Sequence, residues 1–425
     1  TAGSVKITSS SFNSNQDNFG LQITANGPVT LSGVSASYNT GNGINIRSTG
    51  PVVIKNSVFS GNQSGDSTLG YGLYVDPATT GAVTLDNVVL TNNSNHGAFI
   101  STSGNVILKN VSASLNDKGI MIAATTTEGS GAGALNVSVL NGVFHDNRET
   151  SLWVEAKGTI TLTNIFSSSP DYYGLQLDNT YALAAPGVTL KNINLLYNGV
   201  GGGVVRSKGN IIVDSINIPS SPLSYGLDLD NTYGLGSVTI NGTLFTNVFS
   251  YAKNAGLRIK TTRNVVLNNV LSENHGWCGI EIWAGPLTGS VALKNVTANK
   301  NGEWGVVVGT NGAISWIGGG ANDNGLNDTD FIDGGGASLD NVGALETASK
   351  PVTISGLVLN GNLENVGLYI ASRGTVTLTN ITADQNAWDG IKVNKYPGAG
   401  SIKARLIHTV DNDIIGLNIY QMPGD

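Results

Sequence analysis

Two short segments hold the residues best placed to do chemistry. Asp228 and Asp230 stand two apart in Gly226-Leu-Asp-Leu-Asp-Asn-Thr-Tyr233, and Arg258 and Lys260 stand two apart in Gly256-Leu-Arg-Ile-Lys260. Polar and apolar residues alternating over so short a run predict strands with one face inward. Asp228 and Asp230 then share an outward face about 7 Å apart, with Arg258 and Lys260 one turn above them. Paired carboxylates suit acid–base work on a glycosidic bond. Asp178 and Glu281 fall in the same outward columns and complete the candidate catalytic set. The same alternation of sign predicts a plainer role, cross-strand ion pairs worth well under about 1 kcal/mol each. Asp178, Asp230 and Asp340 are each followed by Asn, so each is also expected to start an Asx turn where a long loop leaves its strand.

Other residue types offer less. The stretch 318–336 is an acidic, glycine-rich excursion in which Asp323, Asn324, Asn327, Asp328, Asp330 and Asp333 supply oxygen ligands suited to Ca²⁺. Its spacing matches neither an EF-hand nor the nonapeptide Ca²⁺ repeat, and a solvated loop is the competing expectation. Ca²⁺ is therefore the one candidate ion, and no motif requires a cofactor. Four histidines, at 96, 145, 275 and 408, are too scattered for a zinc site. The single Cys278 excludes internal disulfides, and beside His275 it lacks the rest of a catalytic thiol site. Aromatic residues precede the glycines at Phe19, Tyr71, Tyr172, Tyr173, Tyr225, Trp277, Trp304 and Trp388, a rim that could stack sugars or cap a turn. Asn110, Asn295 and Asn380 lie in glycosylation sequons but are expected at internal ladder positions, with Asn62, Asn92 and Asn327 better placed for glycans.

These residues are carried by a repeat. One segment is Gly-[Leu/Ile]-x-[Ile/Val/Leu], as in Gly43-Ile-Asn-Ile, Gly72-Leu-Tyr-Val, Gly119-Ile-Met-Ile, Gly279-Ile-Glu-Ile and Gly390-Ile-Lys-Val. The other is Val-x-[Leu/Ile]-x-Asn-[Val/Ile], as in Val83-Thr-Leu-Asp-Asn-Val, Val106-Ile-Leu-Lys-Asn-Val, Val188-Thr-Leu-Lys-Asn-Ile and Val376-Thr-Leu-Thr-Asn-Ile. The glycines recur about every 22 to 32 residues, the length of one β-helix turn. Polar stretches such as Ser35-Ala-Ser-Tyr-Asn39 lie between the strands, where Asn tolerates left-handed backbone and can bond its equivalent one turn away. The expected fold is all-β, one right-handed parallel β-helix domain over 1–425 with roughly sixteen turns and no cap at either end. Outward columns of its first sheet include Gln22, Asn45, Tyr74, Phe99, Met121 and Trp153 toward the amino end, and Trp283 beside the charged cluster.

The repeat resembles the pectin-lyase-like superfamily of right-handed β-helices, in the manner of bacterial and archaeal surface repeat proteins, over nearly the whole chain. That resemblance implies the fold, and a range of activities from lyases, hydrolases and epimerases to adhesins and phage fibres. Arg258-Ile-Lys260 looks like the basic motif of polygalacturonases, but their Asn-Thr-Asp, paired-Asp and Gly-His-Gly motifs are missing upstream, and Asp76-Pro77 is followed by Ala78 where an alginate epimerase carries His.

Composition narrows the partners. A net charge of −7 offers no basic stripe for nucleic acid, and no apolar run is long enough for a transmembrane helix. Few charges and many small polar residues suggest the cell exterior. The chain starts in Gly3-Ser-Val-Lys-Ile-Thr-Ser-Ser-Ser-Phe12 and finishes in Gly416-Leu-Asn-Ile-Tyr-Gln-Met-Pro-Gly-Asp425. Joined end to start, these segments imitate the internal Tyr396-Pro-Gly-Ala-Gly-Ser-Ile-Lys403, so copies are expected to stack head to tail. The leading expectation is an extracellular filament, sheath or adhesin-like subunit whose partner is itself. The alternative is a polysaccharide-binding or polysaccharide-processing β-helix that uses the face around Asp228 and Asp230.

Overall fold

The computed structural model describes residues 3–16, 18–66, 68–123, 135–169, 171–219, 223–246, 254–285, 289–326, 334–342 and 349–422. Every regular element among them is a β-strand. The chain divides into two compact units, Thr1–Lys208 and Gly209–Asp425. In each unit the strands alternate between two parallel sheets of eight, so that each strand pairs with the one a full coil later. Glycine-led strands, such as Ile44–Ser48, Leu73–Val75 and Leu227–Asp230, form one sheet. Asparagine-bearing strands, such as Val83–Thr91 and Val291–Asn299, form the other.

Alternation sets the inside. Ile44, Leu73, Ala98, Ile120, Leu152 and Leu175 stand in register on successive coils of the first unit, all but fully buried. Leu227, Leu257, Ile280, Val306 and Ala337 do the same in the second. Burial of each Leu or Ile contributes roughly 1.5–3 kcal/mol, and stacking like on like lets every coil reuse one cross-section. A one-residue slip would turn the whole row outward.

Asparagine forms two separate ladders. The inner one runs Asn39, Asn62, Asn93, Asn116, Asn147 in the first unit, each amide NH₂ donating to the next side-chain oxygen at 2.9–3.1 Å. Asn301, Asn324, Asn362, Asn386 and Asn412 repeat it in the second. This ladder explains the glycine of the strand signature. A Cβ at Gly72 would meet the Asn93 amide nitrogen at 2.9 Å and the Gly97 carbonyl at 2.5 Å. The outer ladder uses the Asn of the other signature: Asn56, Asn87, Asn110, Asn141, Asn164 and Asn192 sit at φ of 50° to 56° and bend their strands. Their exposed amides join Asn87 to Asn56, Asn141 to Asn110, Asn164 to Asn141 and Asn192 to Asn164 at 2.9–3.0 Å.

The sequon expectation is therefore reversed. Asn110, Asn295 and Asn380 are exposed, whereas Asn62 is fully buried in the inner ladder. Asn92 is exposed as expected, and Asn327 lies outside the described residues.

Candidate functional site

The charged cluster sits on the outer face of the glycine-led sheet in the second unit. Parallel pairing puts Asp228 beside Arg258 and Asp230 beside Lys260, then Arg258 beside Glu281 and Lys260 beside Trp283 on the next coil. Arg258 donates from Nε to Asp228 Oδ1 at 2.8 Å and from Nη2 to Oδ2 at 2.5 Å. Its remaining Nη1 donates to the Tyr225 hydroxyl at 2.7 Å, and its guanidinium carbon lies 3.8 Å from that ring's centre. The bidentate bond to Asp228 holds the guanidinium charged more firmly than usual. Burial pushes the Tyr225 hydroxyl up, so it stays protonated. The expected cross-strand pair is thus present, and Tyr225 of the predicted aromatic rim is committed to it.

Each of the other carboxylates has an occupation. Asp230 Oδ1 accepts from Thr232 N at 3.0 Å and Thr232 Oγ1 at 2.6 Å. Asp178, which belongs to the first unit, accepts from Thr180 N at 2.8 Å and Thr180 Oγ1 at 2.7 Å. Asp340 accepts from Val342 N at 2.7 Å. These are the three expected Asx turns. The Asn after each Asp pins its loop: Asn179 donates to Gly158 O and Pro186 O, Asn231 to Gly209 O and Gly236 O, Asn341 to Gly312 O and Lys350 O.

Trp283 is the part of the cluster open to a ligand, and Glu281 holds it in place. The indole Nε1 donates to Glu281 Oε1 at 2.6 Å, and Glu281 Oε2 is buried with no hydrogen-bond partner. Trp283 remains 46 % exposed. On the next coil its partner is Gly309, where a Cβ would stand 2.6 Å from the edge of the six-membered ring. Any larger residue at 309 would displace the indole, so the glycine makes room for a fixed aromatic surface. Trp283 was visible in sequence as an outward position beside Lys260. The missing signal was Gly309 one coil on, which carries meaning only once the register is known.

In the first unit the same face is aromatic. Tyr74 stacks on Phe99 with centroids 5.3 Å apart and planes 13° from parallel, and Tyr71 lies 5.4 Å from Tyr74 and 5.2 Å from His96. His96 is buried, and that burial, with Lys118 nearby, pushes its pKa down to about 3. Its Nδ1 lies 2.5 Å from Asn95 Oδ1, which fits a neutral ring with the proton on Nδ1.

Of the Ca²⁺ candidates, Asp323 occupies a left-handed turn position at φ 55°, while Asp328, Asp330 and Asp333 lie outside the described residues. Asn324 is not a loop ligand, because its side chain is buried in the inner ladder. No group of three or more His, Cys, Asp or Glu capable of holding a metal occurs among the described residues. Cys278 is buried, and burial pushes its thiol far above the usual range, which makes it a poor nucleophile. His275 is also buried, its amide donating to Asn301 Oδ1 of the inner ladder.

The family comparison agrees on the architecture. The family described as a right handed beta helix region matches residues 127–286, and the chain is a right-handed parallel β-helix. Among solved structures it is similar to the A-modules of two Azotobacter vinelandii mannuronan C-5 epimerases. For AlgE6 the identity is 11 %, covering 100 % of this chain and 91 % of that one, with a TM-score of 0.38. For AlgE4 the identity is 12 %, covering 94 % and 91 %, with a TM-score of 0.28. No curated protein sequence matches the chain.

Proposed function

We propose that this β-helix is a polysaccharide-binding protein that works outside the cell, and that Trp283 is the centre of its binding face. The single observation that carries the reading is the half-exposed indole, fixed by Glu281 and given room by Gly309. An immobilised aromatic ring loses little entropy when a sugar packs on it, and Lys260 one coil before and Asp230 two coils before stand in the same outward column. The commitments of Asp228 to Arg258 and of Asp230 to its Asx turn favour holding a chain over cleaving it.

The test is retention on immobilised polysaccharides, with cellulose, chitin, mannan, xylan, alginate and polygalacturonate as the panel. Wild-type protein should be retained by at least one, and Trp283→Ala should weaken that retention about tenfold or more, or about 1.4 kcal/mol. Gly309→Val should weaken it as well, by displacing the ring. A protein retained by none of the panel, or a Trp283→Ala variant that binds as well as wild type, would sink the assignment.

A further inference from the structure

The first unit carries a concave feature on the outer face of its glycine-led sheet. It is a half-open groove of about 140 Å³, lined by Gln22, Thr24, Asn45, Arg47, Tyr74 and Asp76. Register explains its shape. Asn45 pairs with Tyr74, which pairs in turn with Phe99. Phe99 on the following coil covers one face of the Tyr74 ring, while Tyr74 and Asn45 beside it both line the groove on the side of the preceding coils.

The groove's polar groups are arranged for a ligand that both donates and accepts. Asn45 Oδ1 accepts from Asn42 Nδ2 at 2.7 Å, which leaves the Asn45 NH₂ as a donor. Asp76 Oδ1 accepts from Ala78 N at 2.8 Å, which leaves Oδ2 as an acceptor. Among the described residues no ion pair reaches Arg47, which is exposed. Burial, and then the Asp76 charge, push the Tyr74 hydroxyl up, so it remains a donor.

We propose that this groove is a second, separate carbohydrate site that binds one residue of a neutral glycan, with the sugar face on Tyr74 and its hydroxyls between Arg47, Asp76 and the two amides. The lining has no net charge to favour a uronate, and Asp76 would offset part of what Arg47 gains from a carboxylate, whereas adjacent hydroxyls can accept from the guanidinium and donate to the carboxylate. An acyl chain or a copy of an apolar surface would strip water from Arg47 and Asp76 without replacing its hydrogen bonds, which is costly. The site goes beyond the Trp283 reading, since none of its residues lies in the second unit.

Trp283→Ala protein is the right material, because it weakens the first site while leaving every residue of the groove in place. Calorimetry with cellohexaose, mannohexaose, xylohexaose and a galacturonate hexamer should show binding of at least one neutral hexasaccharide. Adding Arg47→Ala, an exposed change that leaves folding intact, or Tyr74→Ala should weaken it about tenfold or more with the thermal midpoint followed as control. The groove proposal falls if Trp283→Ala protein binds no neutral hexasaccharide, binds only the galacturonate hexamer, or binds equally well after Arg47→Ala. None of those outcomes touches the Trp283 site, which fails only if Trp283→Ala leaves wild-type binding unchanged or wild type binds nothing. A concentration-dependent dimer abolished by Arg47→Ala in sedimentation would overturn the glycan occupant in favour of a second copy.

Discussion

The two units carry the same interior and different exteriors. Inside, both stack Leu, Ile, Val and Ala in register and both run an inner asparagine ladder, from Asn39 to Asn147 in one and from Asn301 to Asn412 in the other. Outside, on the equivalent sheet face, the first unit has the Tyr71, Tyr74 and Phe99 stack with an uncommitted Arg47. The second has Asp228 locked to Arg258 and Tyr225, with Trp283 beyond them. Inward positions answer to one repeated cross-section, so they are held to a few residue types. Outward positions meet only water and their neighbours one coil away, so each unit can hold a different chemistry on the same frame.

The largest effect should come from the shared part. Asn62 donates to Asn93 and Ala36 and accepts from Asn39, all of them buried. Asn62→Ala leaves several of these groups unpaired and should cost about 4 kcal/mol in chemical denaturation. Asn324→Ala, in the matching ladder of the second unit, should cost as much. Very unequal losses would break the claim that the interiors are equivalent.

A pH effect should come next. His96 has its folded pKa lowered to about 3 from 6.5, so the unfolded chain binds a proton between those values that the folded chain refuses. Its neutral form is fully compatible with the fold above about pH 6.5, and stability falls as pH drops below that toward 3. By pH 4.5 the loss should be about 3 kcal/mol in the first unit, and His96→Gln should flatten the slope between pH 6.5 and 4.5. A slope unchanged by His96→Gln would contradict the burial described.

The smallest effects concern the charges of the outer faces. Asp228→Ala strands a partly buried guanidinium and should cost about 2 kcal/mol, whereas Arg47→Ala should stay within about 0.5 kcal/mol. Equal costs would mean that the two faces are not differently committed.

Much of this was legible in the chain itself. The spacing of Gly-Leu-x-Leu segments and their alternation determine strands, the parallel coil and which side chains turn inward, because a period of two admits one buried face. The Asx turns at Asp178, Asp230 and Asp340 are local, set by an aspartate and the backbone two residues on, and so could be read directly. The asparagines could not be sorted in the same way. The repeat suggests Asn110 for an internal ladder and Asn62 for the surface, yet Asn62 is buried in a ladder and Asn110 bends a strand on the surface, which depends on where each coil closes. The binding faces are further still from the linear chain. Trp283 needs Gly309, and Tyr74 needs Asn45 on one side and Phe99 on the other. Those partners lie about a coil apart in sequence and a single strand spacing apart in space, and loop lengths between coils vary. Residue types therefore determined the frame, and only the register between coils decided which outward side chains meet to form a site.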